Sequence, residues 1–287
     1  MKVSIITPSF NQGRFIERTL KSVACQSGAE IEHVIIDGGS TDNTVEILKN
    51  FRPSVRWVSE KDHGQADAIN KGIQATDGEI IGWLNSDDVY YSGAIARVVD
   101  FFEKNPHINV VYGMADHIDV EDRAYEAYPT EQWDFERLKE TCFICQPALF
   151  FRRLVVNNHG YLDQSLMYCM DYEYWLRLGK FGERFGYIKE KLAGSRMYAE
   201  NKTSRAQLEV HKEINNMLKK NFGSVPDSWL FGYAYTGIKE NINLQPHSMI
   251  LILHIWLRVI AASIMWNRSL SKNVRNKIIV KFRKLWC

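Results

Sequence analysis

Four short, largely apolar runs open the chain: Val3–Ile6, Ile31–Ile36, Val55–Ser59 and Ile80–Leu84. They are too short for helices and rich in Val and Ile. They also end on turn residues, so each reads as a buried strand. A single helical pattern lies between each pair. Phe15, Ile16, Leu20 and Val23 recur at helix spacing within Gly13–Ala24, and Val45, Ile47 and Leu48 within Thr41–Asn50. Ala66, Ala68, Ile69 and Ile73 do so within Gly64–Thr76. Strands alternating with single helices imply a mostly parallel sheet with right-handed crossovers, flanked by helices. The expected class is α/β.

Ligands of such sheets sit beyond the carboxyl ends of the strands. Thr7-Pro8-Ser9, Asp37 and Asn85-Ser86-Asp87-Asp88 stand at three of those ends. The last is the most abrupt, since Ile80–Leu84 stops dead on four polar residues. Adjacent carboxylates repel each other and lose hydration when enclosed, and a cation between them relieves both costs. Mg²⁺ and Mn²⁺ take hard oxygen ligands, phosphate among them. The same residue types also form ordinary turns and helix starts. Convergence at three strand ends favours a site over three unrelated turns. Neither GxGxxG nor a P-loop occurs, so a nucleotide would be held by side chains and metal.

Five stretches then follow one another in order: Thr7-Pro8-Ser9-Phe10-Asn11, Ile36-Asp37-Gly38-Gly39-Ser40-Thr41-Asp42-Asn43-Thr44, Glu60-Lys61-Asp62-His63-Gly64, Asp67-Ala68-Ile69-Asn70-Lys71-Gly72 and Leu84-Asn85-Ser86-Asp87-Asp88. In this the chain resembles a family-2 glycosyltransferase of GT-A fold, over about residues 1–205. The resemblance implies that Thr7, Pro8 and Ser9 line a nucleoside pocket and that Asp37 accepts a hydrogen bond from the base. Asp62 and Gly64 would approach the nucleotide, Asn70 would brace that wall, and Asp87 would sit near the ribose. Asp88 would hold a divalent Mg²⁺ or Mn²⁺ on the diphosphate. Gln146 would stand near the donor sugar, with a plain strand-side polar residue as the equal alternative.

Tyr168–Leu178 forms a second chemical element. Tyr172, Trp175, Leu176 and Leu178 give it one apolar helical face, and Asp171 falls in its first turn. A carboxylate there suits the helix dipole, so an N-terminal cap is the plain reading. The resemblance makes Asp171 the catalytic base. Relatives usually carry Glu-Asp where this chain has Met170-Asp171, and Glu173 is the fallback. Further on, the family often shows Arg-x-His, the His completing the metal site. This chain has Arg196-Met197-Tyr198. Neutral tyrosine is a poor ligand for Mg²⁺, so strict metal dependence is less secure.

Beyond Gly93–Asn105 (helix) and Val110–Gly113 (strand), residues 114–141 read as irregular with a helical piece at Phe135–Lys139. Gln146–Arg153 reads as a strand leading into a helix. Residues 206–287 form a helical extension. Residues 1–240 hold all 34 acidic side chains and 28 of the 36 Lys and Arg, while 241–287 hold the other eight bases and no acid. Met249–Met265 is apolar but short of the ~20 residues that span a bilayer. Asn273–Trp286 is basic and amphipathic. The tail therefore suits an anionic membrane surface, or packing on the protein itself. Five scattered cysteines suit a reducing compartment, and Cys142-x-x-Cys145 lacks the partners of a zinc site. No secretory leader is expected, because the first apolar run stops at Thr7-Pro8.

The expectation is an inverting glycosyltransferase on the inner face of the cell membrane, with cytoplasmic chemistry. It would move sugar from a nucleotide diphosphate, a uridine one foremost, to a glycan or lipid-linked hydroxyl. No nucleic-acid partner is expected. A nucleotidyltransferase or a non-catalytic sugar-nucleotide binder on the same fold is the alternative.

Overall fold

The computed structural model describes residues 1–239 and 249–276. Two compact units divide the chain: residues 1–135 with 142–199, and residues 136–141 with 200 onward.

The first unit is built on a nine-stranded mixed sheet. Its parallel half comes from β1 (Lys2–Ser9), β2 (Glu30–Asp37), β3 (Arg56–Ser59) and β4 (Ile80–Trp83), in the order β3-β2-β1-β4. The helices between them are α1 (Ile16–Ala24), α2 (Thr44–Asn50) and α3 (Gln65–Gln74). Ile16, Leu20, Ile35 and Leu48 lock α1 and α2 onto the sheet. Gly72 lets α3 lie directly on β1, since a Cβ there would come within 2.4 Å of Ile6 Cγ2.

The expectation of parallel pairing holds across that half, and the sheet then becomes mixed. After β5 (Val89–Tyr90) and α4 (Ala94–Lys104), β6 runs from Val110 to Ile118 and turns back through β7 (Ala124–Ala127) as an antiparallel pair. Part of the stretch expected to be irregular is thus strand. Helix α5 covers Phe135–Glu140. Gln146–Ala148 is a 3₁₀ turn, not strand, with Pro147 in it; β8 follows at Leu149–Arg152. Proline has no N–H to give a ladder, which delays the strand. Helices α6 (Arg153–His159) and α7 (Met170–Lys180) precede β9 (Phe185–Arg196), a strand absent from the sequence expectation. β8 is antiparallel to both β4 and β6, and β9 is parallel to β6. β6 and β9 therefore point the same way as β1 to β4. The core beneath joins Ile80, Leu84, Val98, Phe102, Val111, Phe150 and Leu192.

The second unit is helical: α8 (Lys202–Arg205), α9 (Gln207–Phe222), α10 (Asp227–Lys239) and α11 (Met249–Asn267). Ala234, Trp256, Val259 and Val274 form its core. Asn267 exchanges two 2.8 Å hydrogen bonds with the Val225 backbone. Among the described residues, no helix is long and apolar enough to cross a membrane. Of the expected amphipathic segment Asn273–Trp286, residues 277–286 lie outside the described residues.

Candidate active site

Register brings the polar strand ends together. Ser9 pairs with Asp37 and Asp37 with Ser59 across three parallel strands, while Ile6 faces Trp83 of β4. The ends of β6 and β9, Ile118 and Arg196, are paired on the same edge.

One wall is organised by Asp37, which is fully buried. Its Oδ2 accepts the N–H groups of Gly39 (3.2 Å) and Ser40 (2.8 Å) and the hydroxyl of Ser59 (2.7 Å). Its Oδ1 accepts the Ser40 hydroxyl at 2.5 Å. Asp37 thus shapes the loop that follows it. Asn11 ties the loop after β1 to this one, accepting from Thr41 N at 2.8 Å and donating its own N–H to Ser40 Oγ at 2.7 Å. Asp62 closes against Gly38, where a Cβ would lie 2.8 Å from Asp62 Oδ2. Asp62 also accepts Gly64 N–H at 2.9 Å. Gly64 takes φ +111°, open to glycine, at the start of α3.

The hydroxyls of β1 divide. Thr7 Oγ1 is buried and 2.9 Å from His33 Nε2, so it is engaged between β1 and β2. Ser9 Oγ is buried and has no hydrogen-bond partner among the described residues. An orphaned hydroxyl at a strand end is costly unless a ligand or water satisfies it. Asn70 spends its amide on one backbone unit: Nδ2 donates to Leu162 O (3.0 Å) and Oδ1 accepts Leu162 N–H (3.1 Å). It braces the loop ahead of α7.

The opposite wall is the acidic pair. Asp88 is buried; its Oδ1 accepts Arg196 N–H at 2.8 Å and its Oδ2 accepts Asn85 Nδ2 at 3.1 Å. Asp87, half-buried, accepts the Tyr198 hydroxyl at 2.9 Å. Burial, and then the neighbouring Asp87 charge, pushes Asp88 up to about 8. Burial also raises Asp87. Arg196 is enclosed behind the pair, donating from Nε to Asp87 O at 2.6 Å and pairing with Asp122. Its guanidinium lies 4.8 Å from the Phe15 ring centre, and that ring is 4.9 Å from Tyr198.

Asn85 is a junction that the sequence reading quoted but did not single out. Besides Asp88, it donates to Gln146 Oε1 at 2.9 Å and accepts from Gln65 Nε2 (2.7 Å) and Trp83 Nε1 (2.8 Å). Gln146 completes the ring by donating to Trp83 O at 2.6 Å. Gln65 was not anticipated either.

Asp171 lies in the first turn of α7, half-buried, its Oδ1 accepting Tyr172 N–H at 2.7 Å. Burial raises the thiol of Cys145, and the charges of both Asp88 and Asp171 raise it further. Glu173 is buried and engaged with Arg177 one turn on, at 2.9 Å.

Among the described residues, no cluster of three or more His, Cys, Asp or Glu could hold a metal. The donor set that exists is Asp88 beside Asp87. Adjacent carboxylates, one buried and one half-buried, are what a hard divalent cation relieves, so their chemistry is compatible with Mg²⁺ or Mn²⁺.

Residues 4–160, more than half of the chain, match the model of glycosyl transferase family 2. Chondroitin synthase of Escherichia coli is 30% identical over 215 residues, covering 74% of this chain and 31% of that protein. S. aureus TarS 1–349 in complex with UDP-GlcNAc superposes with TM-score 0.64 at 16% identity, covering 91% of this chain and 81% of that one. A Pyrobaculum calidifontis mannosyltransferase in complex with GDP-Man and Mn²⁺ gives TM-score 0.60 at 16% identity, covering 99% and 80%.

Proposed function

The chain belongs to glycosyl transferase family 2 and is a glycosyltransferase, and from that premise we propose that it transfers sugar from a nucleotide diphosphate donor to a hydroxyl with inversion. The acceptor is a growing surface glycan or a lipid-linked sugar, met at the cytoplasmic face of the membrane. Membership of the family removes the nucleotidyltransferase alternative.

The observation that carries the reading is the register that sets Ser9, Asp37 and Ser59 side by side at the carboxyl ends of β1, β2 and β3, with Asp88 tied to the end of β9 through the Arg196 N–H. It supports a polar wall and a carboxylate at the sheet edge where ligands of such folds bind. Ser9, with its unpartnered hydroxyl, and the wall of Asp37, Asp62 and Gly64 would bind the nucleoside. Asp88, steadied by Asn85 and the Arg196 N–H, would hold Mg²⁺ or Mn²⁺, which supplies charge neutralisation for the departing diphosphate. Asp87 would stand toward the ribose, its carboxylate oriented by Tyr198. Gln146, fixed by Asn85 and Trp83, would face the sugar. Asp171 would take the proton of the acceptor hydroxyl as that oxygen attacks the anomeric carbon from the face opposite the leaving group. One displacement inverts the carbon. Glu173, held by Arg177, keeps the α7 turn rigid.

The two superposed structures support the donor class, because they hold nucleotide sugars, UDP-GlcNAc in one and GDP-Man in the other. The test is a thermal-shift screen of nucleotide sugars with and without Mn²⁺, followed by slow donor hydrolysis. A stabilising uridine diphosphate sugar is expected, with a larger shift when Mn²⁺ is present. No shift with any nucleotide sugar would overturn the reading, and a shift without hydrolysis or transfer would mark a non-catalytic binder.

A further inference from the structure

We propose that the outward face of α11 docks on the surface of an anionic lipid bilayer. Helix α11 is mostly apolar, interrupted by His254, Arg258, Ser263 and Asn267, and its apolar residues occupy more than one side. One side is enclosed. Trp256, Val259, Ala262, Ser263 and Trp266 are buried in the second unit, with Trp256 edge-on to Phe231 at 5.2 Å and Trp266 to Tyr233 at 4.9 Å.

The other side is open. Leu253, Leu257, Ile264 and Met265 are 47, 54, 57 and 65% exposed. With the exposed Ala261 they form one continuous stripe at helical spacing. Isolated surface leucines are unremarkable, but a stripe along one helix marks a contact surface.

Charge decides what covers it. The stripe runs into Arg268, Lys272 and Arg275, all exposed. Residues 241–287 contain eight Lys and Arg and no acid, and Asp227 of α10, beside the rim, accepts from Ser271 Oγ and Asn273 Nδ2. A second copy of the chain meeting this face in a two-fold contact would repeat it, and residues 249–276 bring bases but no acid to pair with them. An anionic bilayer complements both features, taking the apolar stripe at the acyl boundary and the bases at its headgroups. No described helix is long and apolar enough to cross, so the contact lies in the plane of the interface. This gives the membrane location proposed above a definite surface, displaced from the segment beyond Asn273 that the sequence favoured.

Co-sedimentation of the whole chain with lipid vesicles tests it, without donor or metal, so that its outcome is independent of the transfer chemistry. Vesicles of phosphatidylcholine alone are compared with vesicles also containing phosphatidylglycerol, at low and high salt. Binding to the anionic vesicles is expected, weakened by salt and at least about tenfold weaker in Leu257→Glu/Ile264→Glu. Arg268→Glu/Lys272→Glu, which leaves the stripe intact, should weaken it as well. Absence of binding overturns the proposal. So does binding that survives both double variants, which would assign the contact to the tail. A dimer seen by light scattering and dissolved by Leu257→Glu/Ile264→Glu would make the face a contact between copies and overturn it equally. Circular dichroism melts confirm that the variants fold.

Discussion

Tyr198 donates its phenolic hydrogen to Asp87 Oδ2 at 2.9 Å, from the position where the family resemblance implied histidine. The phenol orients the first carboxylate of the pair, while the second is left to Asn85 and a backbone N–H. Tyr198→Phe removes that donor and keeps the ring contact with Phe15. A lost hydrogen bond to a charged group amounts to about 1.5–3 kcal/mol. The melting temperature should fall by a few degrees, and nucleotide diphosphate should bind roughly tenfold more weakly in isothermal titration. Equal affinity would separate Tyr198 from the site.

Asp171→Asn removes the proton acceptor and preserves shape. Donor binding should stay within about twofold, while transfer to acceptor falls by roughly 10²–10⁴. Asp171 is half-buried in a helix's first turn, so the variant should fold. Comparing donor titrations with transfer rates reads the two effects separately. Transfer at the normal rate would reject Asp171 as the base.

The parallel half of the sheet was legible because its strands are short, β-branched and separated by single helices. Strand β9 was not. Lys189, Glu190 and Lys191 are exposed in its middle, and the pairing with β6 jumps from Gly113–Ile188 to Met114–Lys191. The bulge breaks the alternation that would announce a strand. The acidic pair stood out through its abrupt position after an apolar run. The junction at Asn85 could not, because Gln65 and Gln146 reach it only through the folded chain. Glu173 and Arg177 are a different case: four residues apart on a helix, they already had the spacing of a structural ion pair.

Gly38→Ala probes the nucleoside wall without replacing its carboxylates. The added methyl would lie 2.8 Å from Asp62 Oδ2 and 3.1 Å from its Cγ, so Asp62 must swing away. The obstruction is the end of one side chain, and the stability cost should be about 1 kcal/mol. Loss of nucleotide affinity should match that of Asp62→Ala in titration. A Gly38→Ala protein that binds nucleotide normally would remove Asp62 from the pocket.

His33 carries the clearest pH signature. Burial on β2, beside Thr7, pushes its imidazole down to about 3. The unfolded chain binds a proton there below about 6.5, and the folded chain refuses it until near 3. The unfolded state thus holds more protons between those limits, so stability rises with pH across that window and is unaffected by His33 above it. Allowing for partial exposure of the ring, the loss between pH 7 and pH 4.5 should be about 1–2 kcal/mol. His33→Gln cannot titrate there. Its melting temperature should fall less than that of the parent chain over the same pH interval, because the carboxylates contribute equally to both. Parallel acid limbs for the two proteins would show that the imidazole is free to take a proton in the fold.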